Sequence, residues 1–162
     1  MDQSLVVTLT VNGTQVTRSV QARQHLVDFL RDELGLTGSH IGCEHGVCGA
    51  CTLRVNGDIV RGCLMLAVQA NGCRVETIEG LSDSNELEKL QKAFHEKNAL
   101  QCGFCTPGML LAARDLLQHN PKPDREQIRA HISGNYCRCT GYQAIVDAIE
   151  DVTRTEVVDG QG

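Results

Sequence analysis

Nine cysteines in a chain of 162 residues restrict the fold more than any other feature of this sequence. Their number is odd, and their share is below the roughly 8–10% that is typical of a disulfide scaffold. The N-terminal stretch has neither a basic segment nor twin arginines, so we expect no secretory signal and a reducing, cytoplasmic location. Clustered cysteines in such a compartment bind metal more often than they form disulfides. The spacing of the cysteines therefore decides how the chain is interpreted.

A first set of cysteines has the spacing of a plant-type [2Fe–2S] site. It consists of Cys43-x4-Cys48-x2-Cys51, followed after eleven intervening residues by Cys63. Such a site takes three ligands from one loop and the fourth from a later segment. A zinc loop is the alternative, but zinc loops usually bring two close cysteine pairs, and Cys51 with Cys63 is a poor second pair. The spacing favours an iron–sulfur cluster.

The residues between these cysteines fit a loop that wraps around a cluster. We expect Gly42, Gly46 and Gly49 to allow positive φ angles and close backbone approach. Backbone N–H groups on such a loop can hydrogen-bond the sulfurs. A Rieske centre would need a Cys-x-His and a Cys-x2-His segment. Only the first is present, at Cys43 and His45, so we expect His45 to be an ordinary loop residue.

A second set consists of Cys102-x2-Cys105 and Cys137-x-Cys139. Four thiolates converge if both pairs lie on turns at one end of a helical bundle. The spacing alone leaves open a second cluster, a zinc site, or a thioredoxin-like dithiol just before a helix start, where a thiol pKa is lowered. Cys73 is left over, and within a predicted strand we expect it to be a small buried hydrophobe.

The first 80 residues are expected to form a compact α+β domain. Asn12-Gly13 and Asn56-Gly57 are two-residue turn signals that predict two β-hairpins. Apolar residues at helical spacing predict a helix that ends near Gly35. The predicted strands cover residues 5–11, 14–20, 52–55, 58–60 and 73–78, and the predicted helix covers residues 26–34.

Residues 81–162 have helical periodicity, which predicts a four-helix bundle with a loose tail from Thr155. The break between the two halves is placed at Glu79-Gly80. The four helices are expected to begin near Ser84, at an N-cap Thr106, at a capping box of Asp124 with Gln127, and near Ile145. The fold class is therefore α+β, with a helical second domain.

Composition excludes several classes of function. A net charge of −5 argues against a protein that binds nucleic acid through its phosphates. No apolar run approaches the roughly 18 residues of a membrane span. We interpret acidic residues in the helical half as solvated helix faces and first-turn charges rather than catalytic pairs. These residues are Glu86, Glu88, Asp124 and Glu126.

Three segments resemble the small iron–sulfur subunit of the molybdenum hydroxylases, the xanthine oxidase and carbon monoxide dehydrogenase family. They are GCEHGVCGACT at 42–52, QCGFCTPG at 101–108 and GNYCRCTGY at 134–142. The resemblance extends over about residues 5–152, and it implies a plant-ferredoxin-like (β-grasp) domain followed by a helical [2Fe–2S] domain. It also implies two clusters, the first held by Cys43, Cys48, Cys51 and Cys63, the second by Cys102, Cys105, Cys137 and Cys139.

The same resemblance implies partners and an electron path. Gln101 and Cys139 match positions that contact a molybdopterin cofactor, in its cytosine dinucleotide form, on a large subunit. FAD is implied on a medium subunit, and the assembly is implied to be a dimer of heterotrimers. Electrons would pass one at a time from the molybdopterin site through the second cluster and the first cluster to FAD, and in reductive members they would flow in reverse.

The residues support this division of work, since 162 residues hold neither a glycine fingerprint for FAD nor room for a molybdopterin pocket. We therefore expect no catalytic residue on this chain. A free-standing two-cluster ferredoxin and a zinc-bound adaptor are the competing classes, although soluble shuttles tend to be more strongly acidic. The run Met109-Leu110-Leu111 suits a permanent interface beside a cluster, and core packing explains part of it equally well.

Overall fold

A computed structural model describes residues 4–159, in which a mixed sheet is followed by a group of helices. The strands are β1 (Ser4–Val11), β2 (Thr14–Gln21), β3 (Thr52–Val55), β4 (Asp58–Arg61) and β5 (Arg74–Glu76). Their order across the sheet is β2-β1-β5-β3-β4. The central pair β1 and β5 is parallel, and the other neighbours are antiparallel. The expected α+β class is confirmed.

Both predicted hairpins are present, with the predicted turn residues at their tips. Asn12 and Gly13 have φ angles of 48° and 82°, and Asn56 and Gly57 have φ angles of 53° and 101°. A turn with two left-handed central residues matches the twist of the flanking strands. The second hairpin presents Thr52 and Arg61 as directly opposed residues at its open end, immediately beside the cysteines.

One helical segment covers the sheet and completes the first core. It begins as α1 (Leu26–Asp28) and continues in π-helical geometry over Phe29–Glu33. Leu26, Phe29 and Leu30 on this segment are fully buried and pack against strand residues. The predicted helix is confirmed, although its π geometry has no signal in the apolar spacing.

The region after β5 differs from the prediction. The strand ends at Glu76, and a short helix α2 (Ile78–Asp83) begins where the sequence suggested a break. Gly80 lies inside this helix, and the position requires glycine because a Cβ there would come within 2.3 Å of the Asn12 side chain. Gly80 therefore allows close packing within a helix, where a break between the two halves was expected. Cys73 precedes the strand and is partly buried against the first core.

The remaining helices form a second core. They are α3 (Glu88–Glu96), α4 (Thr106–His119), α5 (Arg125–Ile132) and α6 (Gln143–Asp159). The capping box is confirmed, since Asp124 accepts from the Gln127 backbone N–H and the Gln127 side chain accepts from the Asp124 N–H. The expectation for Thr106 is wrong: it is the first residue of α4, Cys105 is the N-cap, and no side chain caps the helix.

Two further expectations in this half need correction. Met109, Leu110 and Leu111 are all buried in the second core, so of the two interpretations of this run core packing is confirmed and the interface is wrong. Helix α6 continues to Asp159, so the backbone is helical beyond Thr155, where a loose tail was expected. Residues 160–162 of that tail lie outside the described residues. The division at residue 80 falls within α2 and stays a prediction.

Among residues 4–159, no helix is both long and apolar enough to cross a membrane.

Candidate metal centres

The structure brings the eight predicted ligands together in two separate groups of four. The first quartet lies on the loop before β3 and just after β4. Cys51 and Cys63 are 2% exposed and pack with Val27 and Ile41, whereas Cys43 and Cys48 are partly exposed. The thiols meet in pairs, Cys43 with Cys48 and Cys51 with Cys63. The first quartet is therefore buried on one side and open on the other.

Backbone donors surround the open side of this quartet. The N–H groups of Val47 and Cys48 each lie 3.3 Å from the Cys43 sulfur. Hydrogen bonds from the backbone of Cys48, and then of His45, lower the pKa of the Cys43 thiol to about 6. Burial raises the pKa of Cys51 to about 11. A ligand set in this environment is held as thiolates only if a cation compensates for the buried charge.

The loop glycines have two different roles. Gly46 and Gly49 have φ angles of 82° and 74°, as expected. Gly42 does not have a positive φ, but a Cβ there would lie 2.9 Å from the Cys48 sulfur. It is therefore required for close approach alone. His45 lies on the exposed surface of the loop, in agreement with its interpretation as a loop residue.

The second quartet lies at one end of the helical group. Cys102 and Cys105 immediately precede α4, and Cys137 and Cys139 lie on the turn between α5 and α6. The sulfurs of Cys102 and Cys139 are 3.5 Å apart and exposed, and the thiols of Cys105 and Cys137 meet deeper in the protein. The expected convergence of two turns is therefore present.

A side-chain hydroxyl joins backbone N–H groups as a donor to the second quartet. The Thr140 hydroxyl lies 3.1 Å from the Cys137 sulfur. Burial is the largest influence on Cys137 and raises its pKa, but the hydrogen bonds from Thr140 and others outweigh it and leave the pKa lowered. Burial raises the pKa of Cys105 to about 12. The contact with Cys102 raises the pKa of Cys139.

Sequence reasoning did not identify Thr140 or Tyr142 as parts of this site. The Tyr142 hydroxyl accepts from the Cys137 N–H at 2.8 Å, and its own N–H donates to the Thr140 hydroxyl at 3.2 Å. Tyr142 also adopts a φ of 69°, an uncommon angle for a bulky residue. The signal available was the Thr-Gly-Tyr run directly after Cys139.

The arrangement of sulfurs fits a two-iron cluster. Each quartet presents two thiol pairs, and a two-iron cluster needs two thiolate sulfurs on each iron. Beside the second quartet, the buried Thr106 hydroxyl has no hydrogen-bond partner in the described part of the chain. A donor without a protein acceptor at this position suits an anionic sulfur.

Gln101 lies at the surface beside the second quartet. Its side-chain N–H group donates to the Cys139 carbonyl at 3.1 Å. Gln101, Cys102 and Cys139 are all exposed, so they share one accessible face. The two residues predicted to contact a molybdopterin are therefore adjacent.

The two quartets are joined by a polar junction between the halves of the molecule. The Tyr136 N–H donates to the Cys48 carbonyl at 2.8 Å, which links a residue beside Cys137 directly to a residue of the first quartet. Asn135 is 2% exposed and donates to the Gly49 carbonyl at 3.1 Å. The cysteine loop thus rests on the turn that carries the other ligands.

A second connection between the halves overturns the interpretation of Glu86 as a solvated residue. Its carboxylate is 25% exposed and accepts from Arg54 on β3 and from Arg114 on α4. Arg54 also pairs with Glu76 at 2.9 Å. The hydrogen bonds from Arg54 are the main reason why the pKa of Glu86 is lowered.

Two protein-family models match this chain, and each covers one of the two cysteine quartets. Residues 9–71 match a family described as a 2Fe-2S iron-sulfur cluster binding domain, and residues 77–150 match a [2Fe-2S] binding domain. The first range contains the whole first quartet, and the second contains the whole second quartet. The second match favours a cluster over the zinc site and the dithiol that spacing left open.

Characterised relatives are similar over nearly their full length. The chain is 55% identical to caffeine dehydrogenase subunit gamma of Pseudomonas sp. (strain CBB1), over 94% of this chain and 93% of that one. It is 53% identical to the nicotine 6-hydroxylase small subunit of Paenarthrobacter nicotinovorans, over 87% and 85%. A chain in the crystal structure of quinoline 2-oxidoreductase from Pseudomonas putida 86 is 50% identical, with a TM-score of 0.90 and 98% of both chains covered.

Proposed function

Because the chain belongs to the small iron–sulfur subunits of the molybdenum hydroxylases, we propose that it relays electrons between a molybdopterin site on a large subunit and FAD on a medium subunit. The chain is an electron-transfer subunit of an oxidoreductase, with two [2Fe–2S] domains. The observation that carries the relay is the hydrogen bond from the Tyr136 N–H to the Cys48 carbonyl, which joins the two quartets.

The thiol pairs give the proposed ligand sets. In the first quartet, Cys43 with Cys48 would hold one iron and Cys51 with Cys63 the other. In the second quartet, the exposed pair Cys102 and Cys139 would hold one iron, and the more buried pair Cys105 and Cys137 would hold the other. Each cluster, when bound, takes up and releases one electron at a time.

The residues around each set have separate tasks. The N–H groups of Val47 and Cys48 and the Thr140 hydroxyl point at ligand sulfurs and stabilise their negative charge. Burial of Cys51 and Cys63 excludes water from one side of the first quartet. Since oxidation of a C–H bond releases two electrons, two one-electron sites in series can hold both from one turnover.

Exposed apolar residues border the two quartets on different segments. Val47 and Leu64, 44% and 62% exposed, lie beside the first quartet, and the Leu64 side chain covers Gly46. This face suits the FAD subunit. Leu100 is 38% exposed next to Gln101, Cys102 and Cys139, and this second face suits the molybdopterin subunit. Apolar surface of this kind supports lasting contacts more than brief encounters.

The remaining details of the assembly are also part of the proposal. They are a molybdopterin cytosine dinucleotide contacted by Gln101 and Cys139, a dimer of heterotrimers, and a cytoplasmic location. The relatives' names support a multi-subunit complex, because they describe a subunit gamma and a small subunit.

The test is to purify the complex through this chain and measure its iron, labile sulfide and EPR spectrum after dithionite reduction. Two larger partner chains, four irons per small chain and two distinguishable [2Fe–2S] signals are the expected result. A chain that purifies alone with both clusters would instead be a free-standing ferredoxin. Zinc in either quartet would contradict the relay and favour an adaptor.

The contact with the molybdopterin has its own test. Gln101→Ala removes the side-chain amide beside Cys139 and should lower turnover or molybdenum content while leaving iron unchanged. Unaltered turnover and unaltered molybdenum would contradict that role for Gln101.

A further inference from the structure

One cation lies at the junction of the two quartets with only neutral partners. The Arg61 guanidinium donates to the Thr52 hydroxyl, to the Gly134 carbonyl at 2.8 Å and to the Asn135 side-chain oxygen at 3.5 Å. Among the side chains described for residues 4–154, no carboxylate pairs with this guanidinium. We propose that Arg61 raises the reduction potential of the first cluster relative to the second, and this proposal rests on the proposed relay.

Arg61 and the Thr52 hydroxyl that accepts from it both lie within two residues of ligands of the first quartet. Arg61 is paired with Thr52 across the β3–β4 hairpin. Thr52 directly follows Cys51, and Gly62 alone separates Arg61 from Cys63. The Gly62 N–H donates to the Cys51 carbonyl at 3.0 Å, which fixes the two segments side by side. The Thr52–Arg61 pair is therefore the last pair of the hairpin before Cys51 and Cys63, the two buried ligands of the first quartet.

The contacts of Arg61 on the side of the second quartet are with residues that are more distant in sequence from a ligand. The Gly134 carbonyl, which accepts from Arg61, lies three residues before Cys137. Arg61 is partly buried, so solvent and salt screen its field less than they would at an exposed site. The same guanidinium therefore acts on both clusters, and more strongly on the first.

The sign of the effect follows from the charge of the cluster. Sulfides and thiolates give a [2Fe–2S] centre a net negative charge, and reduction adds one more electron. A nearby fixed positive charge favours the more negative, reduced form and so raises the potential. Since the first cluster gains more, electrons in the relay are drawn from the second quartet toward the first.

Another arginine on the same hairpin shows why Arg61 is distinctive. Arg54 on β3 is also partly buried, but Glu76 and Glu86 both pair with it at hydrogen-bonding distance. Two carboxylates cancel its field at longer range. Arg61 retains its whole charge because hydroxyl, carbonyl and amide oxygens accept its hydrogen bonds.

The experiment is a potentiometric titration of the purified complex, with EPR following each cluster separately. Arg61→Gln should shift the one-electron equilibrium of the first cluster toward oxidation by about tenfold, which corresponds to about 59 mV. The second cluster should shift less in the same direction. Arg61→Lys keeps a positive charge and should change the first cluster much less than Arg61→Gln.

Arg18→Gln is the matched control, because it removes the same charge from an exposed position on β2, at the far edge of the sheet. It should leave both potentials unchanged. If Arg61→Gln fails to load its clusters, Arg61→citrulline decides the matter, since it removes the charge while keeping the shape and part of the donor set.

Two results would overturn the role of Arg61. One is equal shifts in Arg61→Gln and Arg61→Lys, which would assign the effect to hydrogen-bond geometry. The other is a result in which the cluster potentials of Arg61→Gln and Arg61→citrulline both equal those of the unaltered complex. Failure of the relay itself would show differently, as a missing cluster or missing partner chains in the unaltered protein.

Discussion

The two quartets reach the same arrangement of paired thiols by different means. The first is built by a glycine-rich loop whose own backbone N–H groups point at Cys43, and its inner cysteines are buried. The second is assembled from two turns of a helical group, and side chains of Thr140 and Tyr142 organise it. The geometry of the first site therefore depends mainly on backbone conformation, whereas that of the second depends on helix packing and on a few hydroxyl groups.

The largest expected effect is the separate loss of the second cluster. Cys137→Ser should remove it and abolish turnover with any acceptor that draws electrons through FAD. The first quartet has its own core and should keep its iron. Iron analysis and EPR of the complex should show two irons and one signal per small chain. Loss of both signals would show that the two sites are not independent.

The dependence of the first site on backbone can be tested with two glycines of similar φ. Gly49→Ala combines a φ of 74° with a Cβ placed 2.5 Å from the Gly134 carbonyl, so we expect loss of the first cluster. Gly103, between Cys102 and Cys105 of the second quartet, has a φ of 80°, but the Cβ added by Gly103→Ala would lie in open space. This substitution should cost only the left-handed penalty of about 1–2 kcal/mol.

Iron content and thermal unfolding of the two variants measure this difference. Equal effects would mean that φ alone, and not the contact with the helical half, makes Gly49 necessary.

The dependence of the second site on hydroxyl groups can be tested at Thr140. Thr140→Val removes the donor to the Cys137 sulfur and should lower the potential of the second cluster by up to about 59 mV, a tenfold shift in its one-electron equilibrium. The first cluster should be unchanged. Potentiometric EPR separates the two, and Thr140→Ser should preserve the unaltered value.

A smaller effect is expected at the ion pairs that link the halves. Glu86→Gln leaves Arg54 and Arg114 without one carboxylate and should lower the free energy of unfolding by about 1–2 kcal/mol. The pKa of Glu86 is lowered in the folded protein. Its contribution is therefore complete above the unfolded pKa of about 4.3 and is lost as the pH falls through the lower folded value.

Denaturant titrations at neutral and acidic pH would measure that loss. The difference between Glu86→Gln and the unaltered protein should shrink as the pH falls, while both clusters keep their EPR signals at neutral pH. If the difference in the free energy of unfolding did not change with pH, the carboxylate charge would be excluded as its cause.

The smallest effect is expected at Cys73, which belongs to neither quartet. Cys73→Ala removes one partly buried sulfur beside the first core and should change stability by less than about 1 kcal/mol. Four irons per chain should remain. Loss of iron would show that a ligand has been wrongly assigned.

Local patterns predicted much of this fold because the relevant forces act over a few residues. Asn12-Gly13 specified a turn by its φ preferences, and Asp124 with Gln127 specified a helix start by two reciprocal hydrogen bonds. The convergence of the first quartet was predictable from spacing, and that of the second from the position of its two cysteine pairs on turns at one end of the helices. Most of the features that escaped prediction depend on the surroundings of a residue in the folded chain and not on its sequence pattern.

Three of these residues show why. Gly80 was interpreted as a break, and only the position of Asn12 across the sheet explains its place inside α2. Glu86 was expected to be solvated, but two arginines from other elements surround it. Thr106 was expected to cap α4, yet its hydroxyl is buried beside the second quartet without a partner in the described chain. Sequence proximity carries no information about such neighbours.

The bond between the Tyr136 N–H and the Cys48 carbonyl joins main-chain atoms only, whereas the Tyr136 side chain is 54% exposed. Any amino acid except proline can supply that N–H. Mutation can therefore alter the outward surface at position 136 during evolution without cutting the connection between the two quartets.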